Sequence, residues 1–394
     1  MSSTDTFDLA RMISPTDPAA FFAKHWEREP LIVHRDAPHY YDDLLTMDEV
    51  DRVITTYQLS FPAITVANAN RPVTTKDYTF GNDVIDVARL YQQFALGGSL
   101  VMNQLHRFVP ALAGLCREVE RDAGCPIQTN IYLTPRESQG LKVHYDSHDV
   151  FVLQTHGTKH WTLYDTAVAL PLRGQSFSEF PAEPGPVSAE FDLKPGDMLY
   201  LPRGVMHQAQ TTSSESLHIT VGVLHTSWAE AIIETVARIA LKDPAFRASI
   251  PAGHARDGFD RTEAEKTFRG LLQRLHDHAD FDGTMDFYAE EMRSNRPSLL
   301  RGQLQQVCRL ALLTADDRVG VRSTLVFRFR ESAEGLTVAF SGRELTLPPH
   351  AAEAAKHVLT HPSTAVRDLP GPLDDDGKLV LVRRLIREGL AAAL

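Results

Sequence analysis

The sequence predicts an α+β protein: a double-stranded β-helix core with flanking helices, then a helical segment and a C-terminal winged-helix-like domain. Three observations lead there. Leu141–Asp165 (LKVHYDSHDVFVLQTHGTKHWTLYD) holds two apolar-rich runs joined by a turn at His156-Gly157-Thr158, with Lys159 opening the second. Leu193–Gln208 (LKPGDMLYLPRGVMHQ) reads as a turn, a short buried strand over Met198–Leu201, a second turn, and a run opened by His207. Segments of helical period lie on both sides of these strands. The expected boundaries are 1–225 for the β-helix domain, 226–295 for the helical segment and 296–394 for the terminal domain.

The chemistry sits in the same stretches. His144 and Asp146 are two apart, and residues i and i+2 of a strand point to one face. An imidazole and a carboxylate side by side, joined by one distant His, form the 2-His-1-carboxylate triad of non-haem Fe(II) oxygenases, which leaves positions open for substrate and oxygen. His207 is the candidate third ligand. A lone His in a strand is more often a core residue, but here an H-x-D pair lies upstream and a Pro-Gly-Asp turn precedes it. The roughly 60 intervening residues suit four or five short strands with turns.

These motifs resemble the ribosomal oxygenases of the JmjC branch of the cupin superfamily. The resemblance rests on H-x-D, FVLQ followed by G-x-K-x-W, PGDMLYLPRGVMHQA and His218-Ile219-Thr220, and is strongest over roughly residues 120–225. It implies a protein hydroxylase that uses Fe(II), 2-oxoglutarate and O2. His144, Asp146 and His207 would be the metal ligands. Lys159 would pair with the far carboxylate of 2-oxoglutarate, as a dicarboxylate requires of a nearby cation; Asn130 and Thr220 would hydrogen-bond the co-substrate. The implied substrate is an Arg or His side chain of a ribosomal protein, with a peptide natural product as another possibility, and the 226–295 helices resemble the family's dimerisation segment. The chain departs from the eukaryotic members at Ser147-His148-Asp149, where they carry more acidic residues. Two other readings differ in kind: a cupin metalloenzyme that does not use 2-oxoglutarate, and a winged-helix regulator whose barrel senses a ligand.

Composition narrows the field. A net charge of -11 argues against generic nucleic-acid binding and is compatible with a basic protein substrate. Asp374-Asp375-Asp376 weakens a DNA-binding reading of the terminal domain further. Three cysteines without a C-x-x-C pair suit a reducing compartment. The polar N-terminus has no apolar stretch of a signal peptide, and no run is long enough to span a membrane, so a cytoplasmic protein is expected.

Along the chain, Asp17-Pro18 opens a helix ended by Pro30, Leu31–His34 is a strand, and Thr46 caps a helix over Thr46–Ile54 with Glu49 completing a capping box. Asp83–Phe94 and Gln104–Ala123 read as helices and Pro126–Pro135 as a strand. There Asn130 is either a structural bond-maker or a co-substrate contact. Of the other histidines, His156, His160 and His225 read as surface or wall residues, His148 as lining the substrate mouth or supporting the ligands, and His218 as a core or supporting group. Trp161 and Tyr164 read as packing. Ser227–Glu230 is a capping box opening a helix broken at Asp243-Pro244; Thr262–Ala279, Asp286–Arg293 and Pro297–Leu313 are further helices. Ser323–Arg330, Leu336–Phe340 and Glu344–Leu347 are strands, and His350–Thr360 and Lys378–Ala393 are helices.

Overall fold

The computed structural model describes residues 7–394 apart from 167, 297 and 323, so the expected starts at Pro297 and Ser323 lie outside the described residues. The chain forms two compact units that meet between His225 and Thr226.

The first unit opens with α1 (Leu9–Ile13) and α2 (Pro18–Lys24). The Asp17 carboxylate accepts from the Ala19 and Ala20 amides, which fixes where α2 starts. β1 (Leu31–Val33) and α3 (Met47–Thr56) follow. Thr46 caps α3 as expected, but the Glu49 carboxylate pairs with Arg52 instead of turning back to the cap. After β2 (Ile64–Ala67) come α4 (Val87–Ala95), the unexpected β3 (Ser99–Met102) and α5 (Pro110–Ala123). α5 starts later than periodicity suggests because Pro110 belongs in a first turn; Gly124, at φ 67°, ends it. The strands of the core are β4 (Ile127–Thr134), β5 (Asp149–His156), β6 (Lys159–Tyr164), β7 (Val187–Leu193), β8 (Met198–Leu201), β9 (His207–Thr211) and β10 (Ser216–Val223).

These strands make two sheets. The larger runs β1-β8-β5-β10-β4-β3-β2 and the smaller β7-β6-β9, and every pairing is antiparallel. Strand alternation divides the large sheet's side chains between two cores. Phe151 and Leu153 of β5, Ile131 of β4 and Ile219 and Val221 of β10 pack with the helices. Val150 and Val152 turn the other way and pack with Trp161, Leu163, Leu193 and Leu199 between the sheets. All eight residues of β10 are therefore buried. On the inner face of β4 and β10 the residues are polar: Tyr132, Thr134, His218 and Thr220. The space between the sheets is thus apolar over part of its length and polar over the rest.

The second unit contains α6 (Trp228–Lys242), α7 (Thr262–His278), α8 (Phe281–Ser294) and α9 (Gln303–Arg309), followed by β11 (Arg318–Val321), β12 (Phe327–Ser332), β13 (Gly335–Phe340), β14 (Arg343–Leu347), α10 (Pro349–Thr360), β15 (Thr364–Ala365), α11 (Asp375–Arg387) and β16 (Ala391–Ala393). The capping box at Ser227 and Glu230 forms in both directions. The helix expected over Lys378–Ala393 stops at Arg387, because Gly389 turns the chain at φ 81° and Ala391–Ala393 pair with β11. Asp374, in the acidic triplet, caps α11 through the Gly377 amide. Two three-stranded sheets, β15-β11-β16 and β12-β13-β14, share a core with α10 and α11 built on Val338, Phe340, Val358, Leu385 and Ile386. Among the described residues no helix is long and apolar enough to cross a membrane.

Phe151 is fully buried, with its ring 5.6 Å from Phe21 and 4.9 Å from Tyr200. Phe151→Ala is expected to cost about 3–5 kcal/mol in urea unfolding; a loss under about 1 kcal/mol would show that α2 is not held to the sheet by this contact.

Candidate metal centre

The H-x-D pair does not lie on a regular strand. It occupies the extended segment just before β5, whose ladder begins at Asp149. Alternation still operates there. Tyr145 is buried, and its hydroxyl donates to the carbonyls of Gln175 and Phe180 at 3.2 and 2.8 Å. His144 and Asp146 turn toward His207. Two backbone hydrogen bonds fix that approach: His144 N–H to His207 O at 3.1 Å, and His207 N–H to His144 O at 2.8 Å. The two imidazole centroids are 4.5 Å apart, and His207 Nε2 lies 3.8 Å from Asp146 Oδ2.

Each ring is oriented by its other nitrogen. His144 Nδ1 is 2.7 Å from Lys142 O, and His207 Nδ1 is 3.0 Å from Val205 O. A carbonyl only accepts, so each Nδ1 carries the proton and each Nε2 keeps its lone pair for a ligand. Burial foremost, with His144 adding to it, holds His207 neutral well below the usual imidazole range. Burial would raise the Asp146 carboxyl, but His148, His144 and His207 outweigh it and keep the group ionised. One donor atom from each of His144, Asp146 and His207 lies within 4.8 Å of the others, the one such group among the described residues. Two neutral imidazole nitrogens and a carboxylate, converging from one side, suit a divalent first-row metal with open positions.

A cavity between the sheets leads from this triad to Lys159, past Tyr132, Thr134, Trp161, His218 and Thr220. Lys159 is 5% exposed. Its Nζ donates to Thr134 Oγ1 at 3.2 Å, and Ser99 Oγ donates to the same oxygen at 3.0 Å. Among the described residues no carboxylate pairs with Lys159, and burial pushes its ammonium down to about 7. His218 stacks on Tyr132 at 5.0 Å; burial first, and Lys159 second, keep it neutral.

The other predicted residues fall as follows. Thr220 lines the cavity. Asn130 pairs with it in register, but its amide oxygen accepts the Gln104 N–H at 3.0 Å and it is outside the cavity lining. His148 lies against Gly222, where a Cβ would meet its Nε2 at 3.0 Å. His156 and His160 sit toward solvent beside Glu215 and Asp192. His225 is not a surface residue: it packs 5.0 Å from the Trp26 ring, with Nε2 3.1 Å from the buried Asp149. Trp161 does more than pack, since it lines the cavity 5.9 Å from the His207 ring. Thr134 and Ser99 escaped the sequence reading. Thr134 has the parity of Asn130 on β4, and that signal could have found it; nothing in the sequence ties Ser99 to Lys159.

The triad geometry implies that Mn(II) binds the protein and that His207→Ala weakens this more than about a hundredfold, beyond the effect of outer-shell partners. Electron paramagnetic resonance of free Mn(II) measures it, and equal affinity in the variant would remove His207 from the site.

Residues 101–231 match the JmjC domain. Over 298 residues the chain is 29% identical to ribosomal oxygenase 2 of Mus musculus, covering 72% of this chain and 62% of the relative. It is 29% identical over 328 residues to the bifunctional lysine-specific demethylase and histidyl-hydroxylase NO66 of Culex quinquefasciatus, covering 76% and 50%. The chain thus spans about half to three fifths of the length of these relatives. In fold it is similar to the ribosomal oxygenase YcfD of Escherichia coli, at TM-score 0.53 and 16% identity over 96% of this chain and 98% of that one; YcfD has also been solved with cobalt and 2-oxoglutarate. Residues 101–231 thus carry a JmjC domain, and the chain is similar in sequence to the ribosomal oxygenases over about three quarters of its length.

Proposed function

We propose that the protein is an Fe(II)- and 2-oxoglutarate-dependent oxygenase that hydroxylates an Arg or His side chain of a ribosomal protein or peptide. The observation that carries this reading is Lys159, a buried amine with no carboxylate partner among the described residues, at the far end of a cavity from a His-Asp-His cluster. A buried cation without a counter-ion is costly, and a dicarboxylate reaching from the metal would supply one. When bound, Fe(II), 2-oxoglutarate and O2 supply oxidative decarboxylation to succinate and carbon dioxide, coupled to hydroxylation of an unactivated C–H bond.

The chain's own residues bind, orient and exclude water. His144, Asp146 and His207 would hold the metal. Lys159, steadied by Thr134, would neutralise the distal carboxylate, and Thr220 would line its path. Val150, Val152 and Trp161 keep the neighbouring space dry. Asn130 would act by holding Gln104 and the chain entering α5. The 226–295 helices are assigned to homodimerisation: Trp228, Ile232, Ile233 and Leu241 of α6 are 56–81% exposed. The remainder, read as a winged-helix-like domain, would help position substrate in the cytoplasm.

Lys159 gives the co-substrate step a pH signature. With its ammonium near 7, the free site is largely neutral above that pH. An incoming carboxylate favours the charged form and raises this value, so binding takes up a proton above about pH 7 and none well below it. Titration calorimetry of 2-oxoglutarate with Mn(II) in place of iron, in two buffers of different ionisation enthalpy, should show that uptake at pH 8, with affinity falling as pH rises. Buffer-independent heats at pH 8 would contradict it. Succinate formation from 2-oxoglutarate tests the function itself. It is expected in the wild type, lost in His207→Ala, and shifted in Lys159→Ala to a KM about 10- to 100-fold higher, the worth of one charged hydrogen bond. No succinate above blank, even with ribosomal protein added, would overturn the proposal.

A further inference from the structure

We propose that Asp149, three residues beyond the candidate ligand Asp146, is a positioning residue that holds the two halves of the metal centre together. The inference rests on the reading of His144, Asp146 and His207 as metal ligands. Asp149 opens β5 and is fully buried on the large sheet, away from the cavity lining.

Its carboxylate faces two distant parts of the unit, the Tyr200–Arg203 stretch and His225. Oδ1 accepts from the Arg203 backbone N–H at 3.0 Å and its guanidinium at 3.3 Å, and His225 Nε2 stands 3.1 Å away. Oδ2 accepts from the Tyr200 hydroxyl, which in turn accepts the Glu27 N–H at 2.9 Å. The Arg203 guanidinium also pairs with Glu27. A carboxylate offers about four acceptor positions; three hydrogen bonds fill most of them, and the His225 ring stands beside the rest.

Arg203 belongs to the turn between β8 and β9, and that turn makes the metal centre. Its Gly204 N–H donates to Asp146 O at 3.0 Å. Its Val205 carbonyl receives His207 Nδ1 and sets which nitrogen of that ring faces the metal. His207 then pairs through its backbone with His144. The turn is tight: Gly204 has φ 88°, and a Cβ there would fall 1.8 Å from Val168 O. Asp149 therefore fastens the turn that carries His207 to the strand that continues from the H-x-D segment. Charge matters as well as shape. An Asn has the same outline but presents an NH2 where one oxygen now accepts, so donor would face donor. Burial raises the Asp149 carboxyl, yet the groups around it, His225 first and then Tyr200 and Arg203, more than reverse that and keep it charged.

The test is Mn(II) and Co(II) binding by Asp149→Asn, with far-ultraviolet circular dichroism to establish folding. Outer-shell partners of metal ligands are worth about 10- to 100-fold in affinity. We expect a folded variant whose Mn(II) Kd rises by about that factor and whose metal-saturated Co(II) visible spectrum departs from wild type, a change that mere loss of stability would not produce. A folded variant with wild-type Kd and spectrum overturns the proposal. Should Asp149→Asn fail to fold, Tyr200→Phe removes one donor and keeps the Arg203 contacts; a Kd raised about two- to fivefold supports the assignment and an unchanged one overturns it. Wild-type protein that binds no Mn(II) would instead overturn the metal-centre reading beneath both.

Discussion

Two backbone hydrogen bonds between His144 and His207 are the constraint on which the site depends. The segments they join are far apart in sequence: His207 opens β9, and His144 lies in the extended stretch before β5. Without this bridge the two imidazoles would have no fixed separation, and the Asp146 carboxylate would have nothing to converge on. The rest of the β-helix extends the bridge: β5 runs on from one partner and β9 from the other, into different sheets. The metal centre thus lies where the two sheets diverge, and the cavity begins there because the diverging sheets leave space.

What fills that space follows from strand alternation. β10 is buried along its whole length and β5 over its first six residues, while β4 alternates apolar with polar side chains, and the polar ones on the inner face of β4 and β10 form a set. Lys159 enters from the other sheet at the deep end. Burial pushes its ammonium down to about 7. The cavity therefore runs from the His-Asp-His cluster past Val150, Val152 and Trp161 to a buried amine.

Much of this could be read in the sequence, for identifiable reasons. An H-x-D pair, a turn of Pro-Gly-Asp and a distant His mark a metal site through side-chain chemistry, whereas Lys159, by pattern a surface lysine of a hairpin, stood out only through the family resemblance. Helix starts were legible at Asp17, Thr46 and Ser227, where a side chain satisfies local amides. The short strands β3 and β11 were missed because four residues carry too little pattern to separate strand from loop. The end of α11 was misplaced because Ala391–Ala393 favour helix locally and are drawn into a sheet by pairing with β11. His225 looked exposed because its partners, Trp26 and Asp149, come from remote parts of the chain. Thr134 and Ser99 are ordinary strand residues until the fold sets them beside an amine.

Tyr145 adds a mechanical consequence. It stands between the two ligands of the H-x-D pair, and alternation sends it to the opposite side, where its hydroxyl holds the carbonyls of Gln175 and Phe180. The loop between β6 and β7 is consequently tied to the residue that separates His144 from Asp146. Phe177 of that loop also lies with its ring 5.5 Å from Tyr145 and 6.5 Å from His144. A pull on the loop acts on the peptide units flanking Tyr145 and so on both donors together, which makes the loop a lever whose short arm is the metal's own ligand spacing.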